Sequence, residues 1–502
     1  MLRFFKTYYL PLLAGILLSL SRLPLYLGWL VFVAFVPLLF YFKQGKHTLK
    51  QNLISVLIFS LAQIAIVFYW IGLVTPGGLL GIWLIFTLFY LIVFWIIEQV
   101  RHRSAALTYP IFVCALISFE YLQNFGETRF PWWNVGYSLA DYTGLLQALD
   151  LGGMSLLALL ILSINYLVFQ LSLGKWRSLI AIVLCFIMWL AYGEYRLRSL
   201  PITRHSTKIS VMQPSIEQDE KWDIEKYREI IEVYRELSAK AAQNGTELLI
   251  YPEAAIPDYL MLSDQAYSDL IDILNSNQLS IFTGFPHVEK APADHPQTHL
   301  YYNAAALFHP YPHQPELFYK NVLVPVGERM LWLDIFPVLW KLQFGQANWE
   351  FGTKIPRYAF GGKEFSPSIC YELAFPHYMQ RANFNSDSQE HPKADFHVNI
   401  TNDAWFGTSY GPWLHGIMSK FRAIESRVQI YRCANTGISQ IVNPKGEILN
   451  SAPLFGRTNI DAELYTCDVI PLYHKIYPYP WIFVCLTAIL TIFSFIIPRR
   501  AL

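Results

Sequence analysis

Hydrophobic residues are concentrated at the two ends of the chain. Residues 1–200 are almost continuously apolar, residues 205–470 mix polar and apolar positions as soluble proteins do, and a last apolar run covers 478–497. A helical segment of about 20 apolar residues is long enough to span a bilayer. The pattern therefore predicts a seven-span membrane domain over 1–198, a soluble domain over 205–470 and a C-terminal span over 478–497.

The first 200 residues contain seven segments that approach the length of a membrane span. They lie near 7–21, 25–42, 53–74, 78–98, 105–122, 154–173 and 178–193. The first segment is short, so a cleaved signal peptide is an alternative interpretation of it. A second apolar run begins directly after it, however, and no small-residue cleavage site follows, which favours a retained span.

Basic residues cluster at alternate ends of these spans. Cytoplasmic loops of membrane proteins carry an excess of lysine and arginine. The basic residues that share one side, if the N-terminus is cytoplasmic, are Arg3, Lys6, Lys43, Lys46, Lys50, Arg101, Arg103, Lys175, Arg177, Arg499 and Arg500. The distribution predicts both termini in the cytoplasm and segment 194–477 on the far side. Arg196, Arg198 and Arg204 lie on that far side, but long domains cross largely regardless of charge.

The soluble segment alternates short runs typical of strands with helical patterns. The strand candidates are Lys208–Met212, Glu247–Tyr251, Ser280–Gly284, Asn303–Phe308, Lys363–Ile369, Asp395–Thr401, Ser439–Val442 and Leu464–Val469. One helix is predicted over Asp223–Gln243 and a second over Trp413–Tyr431, because apolar residues recur there with a period of about 3.6 residues. The inward-facing residues are Ile224, Tyr227, Ile230, Ile231, Tyr234 and Leu237 in the first helix, and Ile417, Phe421, Ile424 and Val428 in the second. The alternation is typical of an α/β layer fold.

Composition narrows the class of protein further. The 502 residues are 54% hydrophobic, 16% aromatic and only 15% charged, whereas soluble domains carry about 25% charged residues. This excludes a disordered chain, a nucleic-acid binder and an ordinary cytosolic enzyme. The net charge of +1 provides no global field that would steer an acidic partner.

Cysteine and histidine patterns give little sign of a metal centre or a disulfide framework. The six cysteines include no Cys-x-x-Cys pair, which argues against a cysteine zinc site. A disulfide between Cys433 and Cys467 remains open. Histidines cluster over residues 287–313, but Pro296 argues against a regular helix that would present them together. We therefore expect neither a metal ion nor a cofactor.

Three short stretches end a strand pattern with a side chain capable of chemistry. Glu253 lies among apolar residues and two prolines, Lys320 is flanked by aromatic and aliphatic residues, and Cys370 ends an apolar strand. Each also fits a structural role when taken alone: a loop-capping acid, an aromatic-packed lysine or an inert core thiol. Together they supply what acyl transfer on a thiol needs, because Glu253 can take the thiol proton and Lys320 can stabilise an oxyanion beside a backbone N–H.

The chain order of Glu253, Lys320 and Cys370, each in its own sequence context, resembles the nitrilase (carbon–nitrogen hydrolase) superfamily. Further matching segments are Val211–Pro214, Tyr302–Ala305 and Asn399–Gly407. The resemblance implies an αββα sandwich in which Glu253 is the base, Lys320 stabilises the oxyanion and Cys370 is the nucleophile. The expected fold class is therefore a multi-pass α-helical membrane domain joined to an α/β nitrilase-like sandwich.

The order of the whole chain resembles the apolipoprotein N-acyltransferase family of the Gram-negative inner membrane. That family has several membrane spans, then a nitrilase-like domain, then one more span. The resemblance covers essentially the whole chain, and its motifs are Phe130–Trp132, Gly136–Ser138, Lys221–Asp223, Pro252–Pro257, Ser368–Glu372 and Asn402–Gly407. It implies that Glu328 is a second glutamate needed near the site. The positions that it implies for substrate binding, on mobile or substrate-lining loops, are Trp222, Tyr371, Glu372 and Trp405.

Two features depart from the family pattern. The family usually reads Pro-Phe-Gly-Glu-Tyr-Val-Pro after its lysine, whereas this chain reads Pro-Val-Gly-Glu-Arg-Met-Leu over 325–331. Arg329 stands where an aromatic residue is usual, which puts in doubt the details of lipid contact there and not the triad. Segments 286–300 and 383–394 are polar and fit the family poorly, so we expect surface loops.

The resemblance implies a two-step reaction. Cys370 takes an acyl chain from a membrane phospholipid as a thioester, and the chain then passes to the N-terminal amine of the diacylglyceryl-cysteine of an apolipoprotein. The expected partners are a phospholipid donor, a diacylated lipoprotein acceptor and the bilayer. We expect a monomer of the bacterial inner membrane with its catalytic domain in the periplasm.

Two alternatives remain open. A membrane-tethered nitrilase-like amidase would use the same triad with water as the acceptor, and a transporter or receptor would only bind its ligand. Transport paths require charged groups near the membrane midplane. Glu98 and Glu120 lie near predicted span ends instead, which argues against transport.

Overall fold

The computed structural model describes residues 2–102, 105–293, 295, 297–311, 313–341, 348–384 and 392–496. The chain forms two compact units, and each is described by itself. One consists of Met1–Ser199 with Pro471–Leu502, and the other of Leu200–Ile470.

The first unit is helical. Its helices are α1 (Leu2–Leu20), α2 (Val36–Lys43), α3 (Leu49–Gln63), α4 (Ile71–Val74), α5 (Pro76–Arg101), α6 (Thr108–Leu122), α7 (Thr143–Leu146), α8 (Leu149–Ser172) and α9 (Arg177–Ser199), followed after the second unit by Leu472–Ile476 and Trp481–Ile496. Among the described residues, four helical stretches are long and apolar enough to cross a membrane: Leu49–Phe68, Gly77–Arg101, Leu149–Ser172 and Arg177–Ser199. Four shorter apolar helices cover Thr7–Leu20, Gly28–Lys43, Thr108–Leu122 and Trp481–Ile496. The count of eight spans stays a prediction, and Arg103, Arg499 and Arg500 lie outside the described residues.

The predicted span 25–42 is not one regular helix. Gly28–Phe32 forms a 3-10 turn, and α2 begins only at Val36. A Cβ atom on Gly28 would lie 2.0 Å from the carbonyl oxygen of Ser138. The backbone at Gly28 therefore packs so closely against the segment of Ser138 that only glycine fits there. Pro37 lies at the start of α2, where a proline is tolerated because that position needs no backbone donor.

The second unit contains two six-stranded sheets. Its strands are β1 (Thr203–Gln213), β2 (Leu248–Ile250), β3 (Ser280–Lys290), β4 (His299–Phe308), β5 (Phe318–Tyr319), β6 (Tyr358–Phe360), β7 (Lys363–Ile369), β8 (Phe396–Thr401), β9 (Gln429–Ala434), β10 (Gln440–Val442), β11 (Ile448–Ser451) and β12 (Thr458–Thr466). The strand orders are β12-β1-β2-β3-β4-β5 and β11-β10-β9-β8-β7-β6. In each sheet three consecutive strands are parallel, β1-β2-β3 and β7-β8-β9.

The two sheets pack face to face. The ring centroid of Phe282 on β3 lies 5.3 Å from that of Phe365 on β7, and the thiol of Cys433 on β9 donates to the carbonyl of Met212 on β1 over 3.1 Å. The helices of this unit are α10 (Gln218–Lys221), α11 (Tyr227–Gln243), α12 (Asp264–Asn277), α13 (Pro376–Asn383) and α14 (Gly411–Ser426). Side chains of α11 and α12 join the hydrophobic core of the first sheet. The predicted α/β sandwich is confirmed.

Several predicted boundaries were wrong, and the second helix shows why. The apolar period that predicts a helix over Trp413–Tyr431 continues through Val428, but α14 ends at Ser426. Arg427 adopts a left-handed backbone, with φ of 53°, which stops the helix. Residues Gln429–Ala434 then form β9, because they pair in parallel with β8. Tertiary pairing thus overrides the local helical period.

Three further expectations need correction. Ile224 was expected to face inward but is 90% exposed. Residues 224–226 form a 3-10 turn before α11 begins, so Ile224 is not part of the apolar face of that helix. The last predicted strand, Leu464–Val469, overlaps only the end of β12, which runs from Thr458 to Thr466. Much of the expected surface loop 286–300 belongs instead to the long antiparallel pair of β3 and β4. In the other expected loop, residues 385–391 lie outside the described part of the chain.

Candidate active site

Cys370 lies where β7 ends and a single 3-10 turn begins, Cys370–Ala374. Its backbone is left-handed, with φ of 52°. A non-glycine residue in this region is strained by roughly 1–3 kcal/mol, and such residues cluster at functional sites. The backbone N–H of Ile369 donates to Oε2 of Glu372 over 2.7 Å, which fixes the entry into the turn.

Glu253 lies in the loop that follows β2. Its Oε1 accepts a hydrogen bond from Nδ2 of Asn303 over 2.6 Å, and its Oε2 accepts one from the backbone N–H of Asn402 over 2.8 Å. The residue is 7% exposed. A Cβ atom on Gly284 would lie 3.0 Å from Cα of Glu253, so the close passage of β3 behind the loop depends on glycine. Two hydrogen-bond donors and the closely packed backbone thus fix the orientation of the Glu253 carboxylate.

Lys320 directly follows β5 and is completely shielded from solvent. Its Nζ lies 2.8 Å from Oε1 of Glu328 and 3.4 Å from Oε1 of Glu253. Burial by itself lowers the pKa of Lys320, but these two carboxylates outweigh it and hold that pKa above its ordinary value. Lys320 is therefore a fixed cation between two acids.

The thiol of Cys370 belongs to the same electrostatic cluster. Burial raises its pKa well above the ordinary value and the Glu253 carboxylate raises it further, whereas the Lys320 ammonium lowers it. The resting thiol is therefore protonated, and a nucleophilic role would require a base to remove its proton. The structure thus brings Glu253, Lys320, Glu328 and Cys370 together, and the roles assigned to them stay predictions.

The four residues expected to bind substrate do not share one environment. Trp222 and Trp405 are 48% and 52% exposed, whereas Tyr371 and Glu372 are buried. Oε1 of Glu372 accepts hydrogen bonds from the backbone N–H groups of Asn321 (2.6 Å) and Val322 (3.0 Å), and its Oε2 accepts the one from Ile369 at the end of β7. Burial raises the pKa of Glu372 to about 7. Its carboxyl group ties the loop of Lys320 to the turn of Cys370, which is a positioning role.

Sequence reasoning assigned no role to several buried polar residues around the triad. Nζ of Lys221 donates to the backbone carbonyl of Glu253 over 2.9 Å. Burial lowers the pKa of Lys221 to about 8. Asn303 and Asn402 hold Glu253, as described above. Lys221, Asn303 and Asn402 all lie inside motifs identified in the sequence. Membership of those motifs was therefore the sequence feature that could have pointed to them.

A second buried polar cluster lies behind Cys370. Nδ1 of His415 lies 2.9 Å from Oδ1 of Asp403, and Nη2 of Arg432 lies 2.7 Å from Oδ2 of the same carboxylate. Burial by itself raises the pKa of Asp403, but Arg432 and His415 outweigh it and hold that pKa below its ordinary value. His415 and Arg432 gave no sequence signal, because they lie inside ordinary helix and strand patterns.

The structure bears on the open disulfide and on metal-binding groups. Cys433 and Cys467 are both free thiols. Within the part of the chain that the structure describes, no three His, Cys, Asp or Glu side chains group in a way that could hold a metal ion.

Comparison with known proteins gives two family matches. Residues 14–167 match the model "Apolipoprotein N-acyltransferase N-terminal domain", and residues 208–470, more than half of the chain, match "Carbon-nitrogen hydrolase". Relatives named apolipoprotein N-acyltransferase include those of Geobacter metallireducens (29% identical, covering 91% of this chain and 89% of the relative) and Rickettsia typhi (32%, covering 69% and 68%). Similar solved structures include an amidase from Nesterenkonia sp. (17% identical, TM-score 0.39, covering 56% of this chain and 97% of that one). Another is Nit3 of Saccharomyces cerevisiae (18%, TM-score 0.39, 54% and 94%).

Proposed function

We propose that this chain, which belongs to the apolipoprotein N-acyltransferase family, takes its acyl group from a membrane phospholipid and carries it as a thioester on Cys370. The family assignment establishes the N-acylation of lipoproteins and a bacterial membrane protein. The donor, the covalent intermediate and the residue roles are the parts proposed here. The observation that carries them is the buried contact of Lys320 with Glu253, in the electrostatic cluster that includes Cys370.

In the first half-reaction Glu253 takes the proton of the Cys370 thiol, and the thiolate attacks an ester carbonyl of the phospholipid. The tetrahedral oxyanion is stabilised by the ammonium of Lys320 and by the backbone N–H of Tyr371, the residue after the nucleophile. Collapse of the intermediate breaks the ester bond. The departing lysophospholipid oxygen receives the proton back from Glu253, and the acyl chain remains on sulfur.

In the second half-reaction the amine of the diacylglyceryl-cysteine attacks the thioester. A second oxyanion forms in the same place, Glu253 takes a proton from the attacking nitrogen, and Cys370 leaves as a thiolate that is then protonated. Glu328 keeps the Lys320 ammonium in place through the 2.8 Å ion pair. The exposed rings of Trp222 and Trp405 contact the lipid substrates and keep water from the thioester.

The topology belongs to the same proposal. Segments 1–198 and 478–497 span the membrane, and 205–470 lies in the periplasm, where both bilayer-bound substrates reach a tethered site at high effective concentration. A reporter fused after Leu502 should report the cytoplasm, and a tag inserted at 386–392 should be accessible in spheroplasts. Protease protection of that tag would contradict the topology. Light scattering of the purified protein tests the expected monomer.

The decisive experiment measures the intact mass of the full-length protein in detergent after incubation with phosphatidylethanolamine alone. We expect a gain of one acyl chain in the wild type and in the control variant Cys467→Ala, and no gain in Cys370→Ala. Addition of a diacylated lipopeptide should then remove the added mass and yield an N-acylated product. Equally fast loss of the acyl group in buffer alone would indicate a hydrolase that uses water as acceptor.

A further inference from the structure

The carbonyl oxygen of Cys370 is held by a buried imidazole. Nε2 of His415, on α14, lies 3.2 Å from this oxygen, and the side chain of His415 is almost completely shielded from solvent. A carbonyl oxygen only accepts hydrogen bonds, so Nε2 must carry the hydrogen. The backbone is therefore held on both sides of Cys370: Glu372 accepts from the N–H of Ile369, and His415 donates to the carbonyl of Cys370.

The other ring nitrogen of His415 faces an ion pair. Nδ1 lies 2.9 Å from Oδ1 of Asp403 and 3.0 Å from Nη2 of Arg432. Nδ1 therefore either carries a proton toward the carboxylate or accepts one hydrogen bond from the guanidinium. Both arrangements leave the hydrogen on Nε2, so the bond to the Cys370 carbonyl survives a change in the charge of the ring.

The cluster is built with little freedom to move. Oγ1 of Thr401 donates to Oδ1 of Asp403 over 3.0 Å, which fixes the carboxylate from the end of β8. A Cβ atom on Gly437 would lie 2.3 Å from Oδ2 of Asp403, so the backbone there closes directly over the carboxylate. The carboxylate that faces Nδ1 is thus fixed, and it favours the observed orientation of the imidazole, with Nε2 directed at the carbonyl of Cys370.

The carbonyl of Cys370 and the N–H of Tyr371 belong to the same planar peptide unit. Because the unit is rigid and trans, the carbonyl and the N–H point in opposite directions. A hydrogen bond that fixes the carbonyl therefore also fixes the direction of the N–H. A donor on the oxygen polarises the amide as well, which strengthens the N–H as a donor in turn.

We propose that His415 is a positioning residue that sets the oxyanion hole. It pins the peptide unit between Cys370 and Tyr371 so that the Tyr371 N–H faces the oxyanion, and Asp403 with Arg432 holds the imidazole for this task. The proposal rests on the acyl-transfer function above. It assigns the Asn402–Gly407 motif a task that the triad alone does not explain: its Asp403 orients a histidine that lies elsewhere in the chain.

Two reactions of the same thiol separate this role from a merely structural one. Acylation by phosphatidylethanolamine passes through a tetrahedral oxyanion, whereas alkylation by iodoacetamide displaces iodide from carbon and forms none. His415→Leu removes the donor to the carbonyl. We expect the rate of thioester formation to fall by about 10- to 100-fold, since a misplacement of about 1 Å at a reacting centre costs up to about 10²-fold. The alkylation rate of Cys370 should stay near that of the wild type.

Two further variants keep the test decisive if His415→Leu folds poorly. His415→Gln offers an amide donor near the position of Nε2 and should restore most of the acylation rate. His397→Leu is the matched control, because His397 is equally buried but bonds to the hydroxyls of Ser366 and Ser368. It should change acylation and alkylation by the same factor.

The outcomes distinguish this proposal from the one on which it rests. Equal losses of acylation and alkylation in His415→Leu, or no loss in either, would overturn the positioning role. If the wild type itself forms no thioester with phosphatidylethanolamine, the proposed donor fails. The ratio of the acylation rate to the alkylation rate is then measured with p-nitrophenyl acetate as the acyl donor, because its reaction with Cys370 also passes through an oxyanion.

Discussion

The ammonium of Lys320 lies 3.4 Å from the carboxylate of Glu253, at a place where the side chain of Lys320 has no exposed surface. Charges that leave water in this way are stable only when they are paired and hydrogen-bonded. The third member, Glu328, lies 2.8 Å from the same ammonium. One cation thus neutralises part of the charge of two acids, and the proposed oxyanion binding would use the same ammonium.

Substitution of Lys320 by methionine should therefore affect folding and chemistry together. Two buried carboxylates lose their cation, so we expect the free energy of unfolding to fall by about 3–5 kcal/mol. Loss of an oxyanion donor should slow each half-reaction by about 10²- to 10³-fold. Thermal unfolding in detergent and the rates of thioester formation and of transfer measure both effects.

The comparison variant for Lys320→Met is Glu328→Gln, which keeps an oxygen able to accept the hydrogen bond from Nζ. It should lower the thermal midpoint less than Lys320→Met does. A Lys320→Met protein with unchanged thioester formation would exclude Lys320 from the oxyanion site.

Cys370→Ser should abolish transfer almost completely. A hydroxyl group is a much weaker acid than a thiol, and Glu253 cannot readily ionise it in a buried site that already raises the pKa of Cys370. We expect a loss of roughly 10³-fold or more, as for other nucleophile replacements. Transfer to lipopeptide is the measurement, with Cys467→Ser as the matched control. Substantial residual transfer would show that another residue is the nucleophile.

The buried amine of Lys221 makes stability depend on pH in a defined direction. Its pKa in the folded protein is about 8, whereas lysine in an unfolded chain titrates near ~10.4. Between these values the unfolded chain binds more protons, so the free energy of unfolding rises with pH. This contribution is complete above the unfolded value and is lost as the pH falls toward 8.

The variant Lys221→Met removes that contribution. The thermal midpoint of the wild type minus that of Lys221→Met should increase as the pH rises from 8 to 10. Lys240→Met, which removes an exposed lysine of α11, is the control for the loss of one positive charge. A difference that stays level, or that shifts the other way, would contradict a neutral buried amine at high pH.

The sequence located Glu253, Lys320 and Cys370 well because each of them lies just after a strand. The strand Lys363–Ile369 has the predicted bounds, and Cys370 follows it directly. Parallel strands bring their carboxyl ends to one edge of a sheet, which is where side chains meet for chemistry. Glu253 follows the parallel strand β2 in the same manner. Local pattern and site position therefore agree in these segments.

Other features depend on tertiary contacts that no local pattern contains. The helical period through Val428 hides β9, whose formation requires β8 as a partner. Glu372 was expected to bind substrate because of the family resemblance, but its buried carboxylate accepts hydrogen bonds from three backbone N–H groups. His415 lies in α14 and meets Cys370 only through the fold. Residues distant in the chain act together here, and a sequence pattern does not show such pairs.

Trp222 offers a way to separate the two half-reactions. It follows the short helix α10, whose Lys221 contacts the backbone of Glu253, yet its own ring is 48% exposed. An indole that packed at the end of a helix would be buried, so the exposed ring is better suited to an acyl chain or to the second substrate. Trp222→Ala should therefore still form thioester from phosphatidylethanolamine and transfer it poorly to lipopeptide.

The measurement for Trp222→Ala is acyl-enzyme mass and lipopeptide product on one folded preparation. The matched control is Tyr311→Ala, which removes another exposed aromatic ring of the same unit and should leave the ratio of the two rates unchanged. A ring that only stabilises the fold would lower both steps alike, because folded enzyme is required for each. Equal losses would therefore place Trp222 outside the site, whereas a selective loss of transfer assigns it to the acceptor.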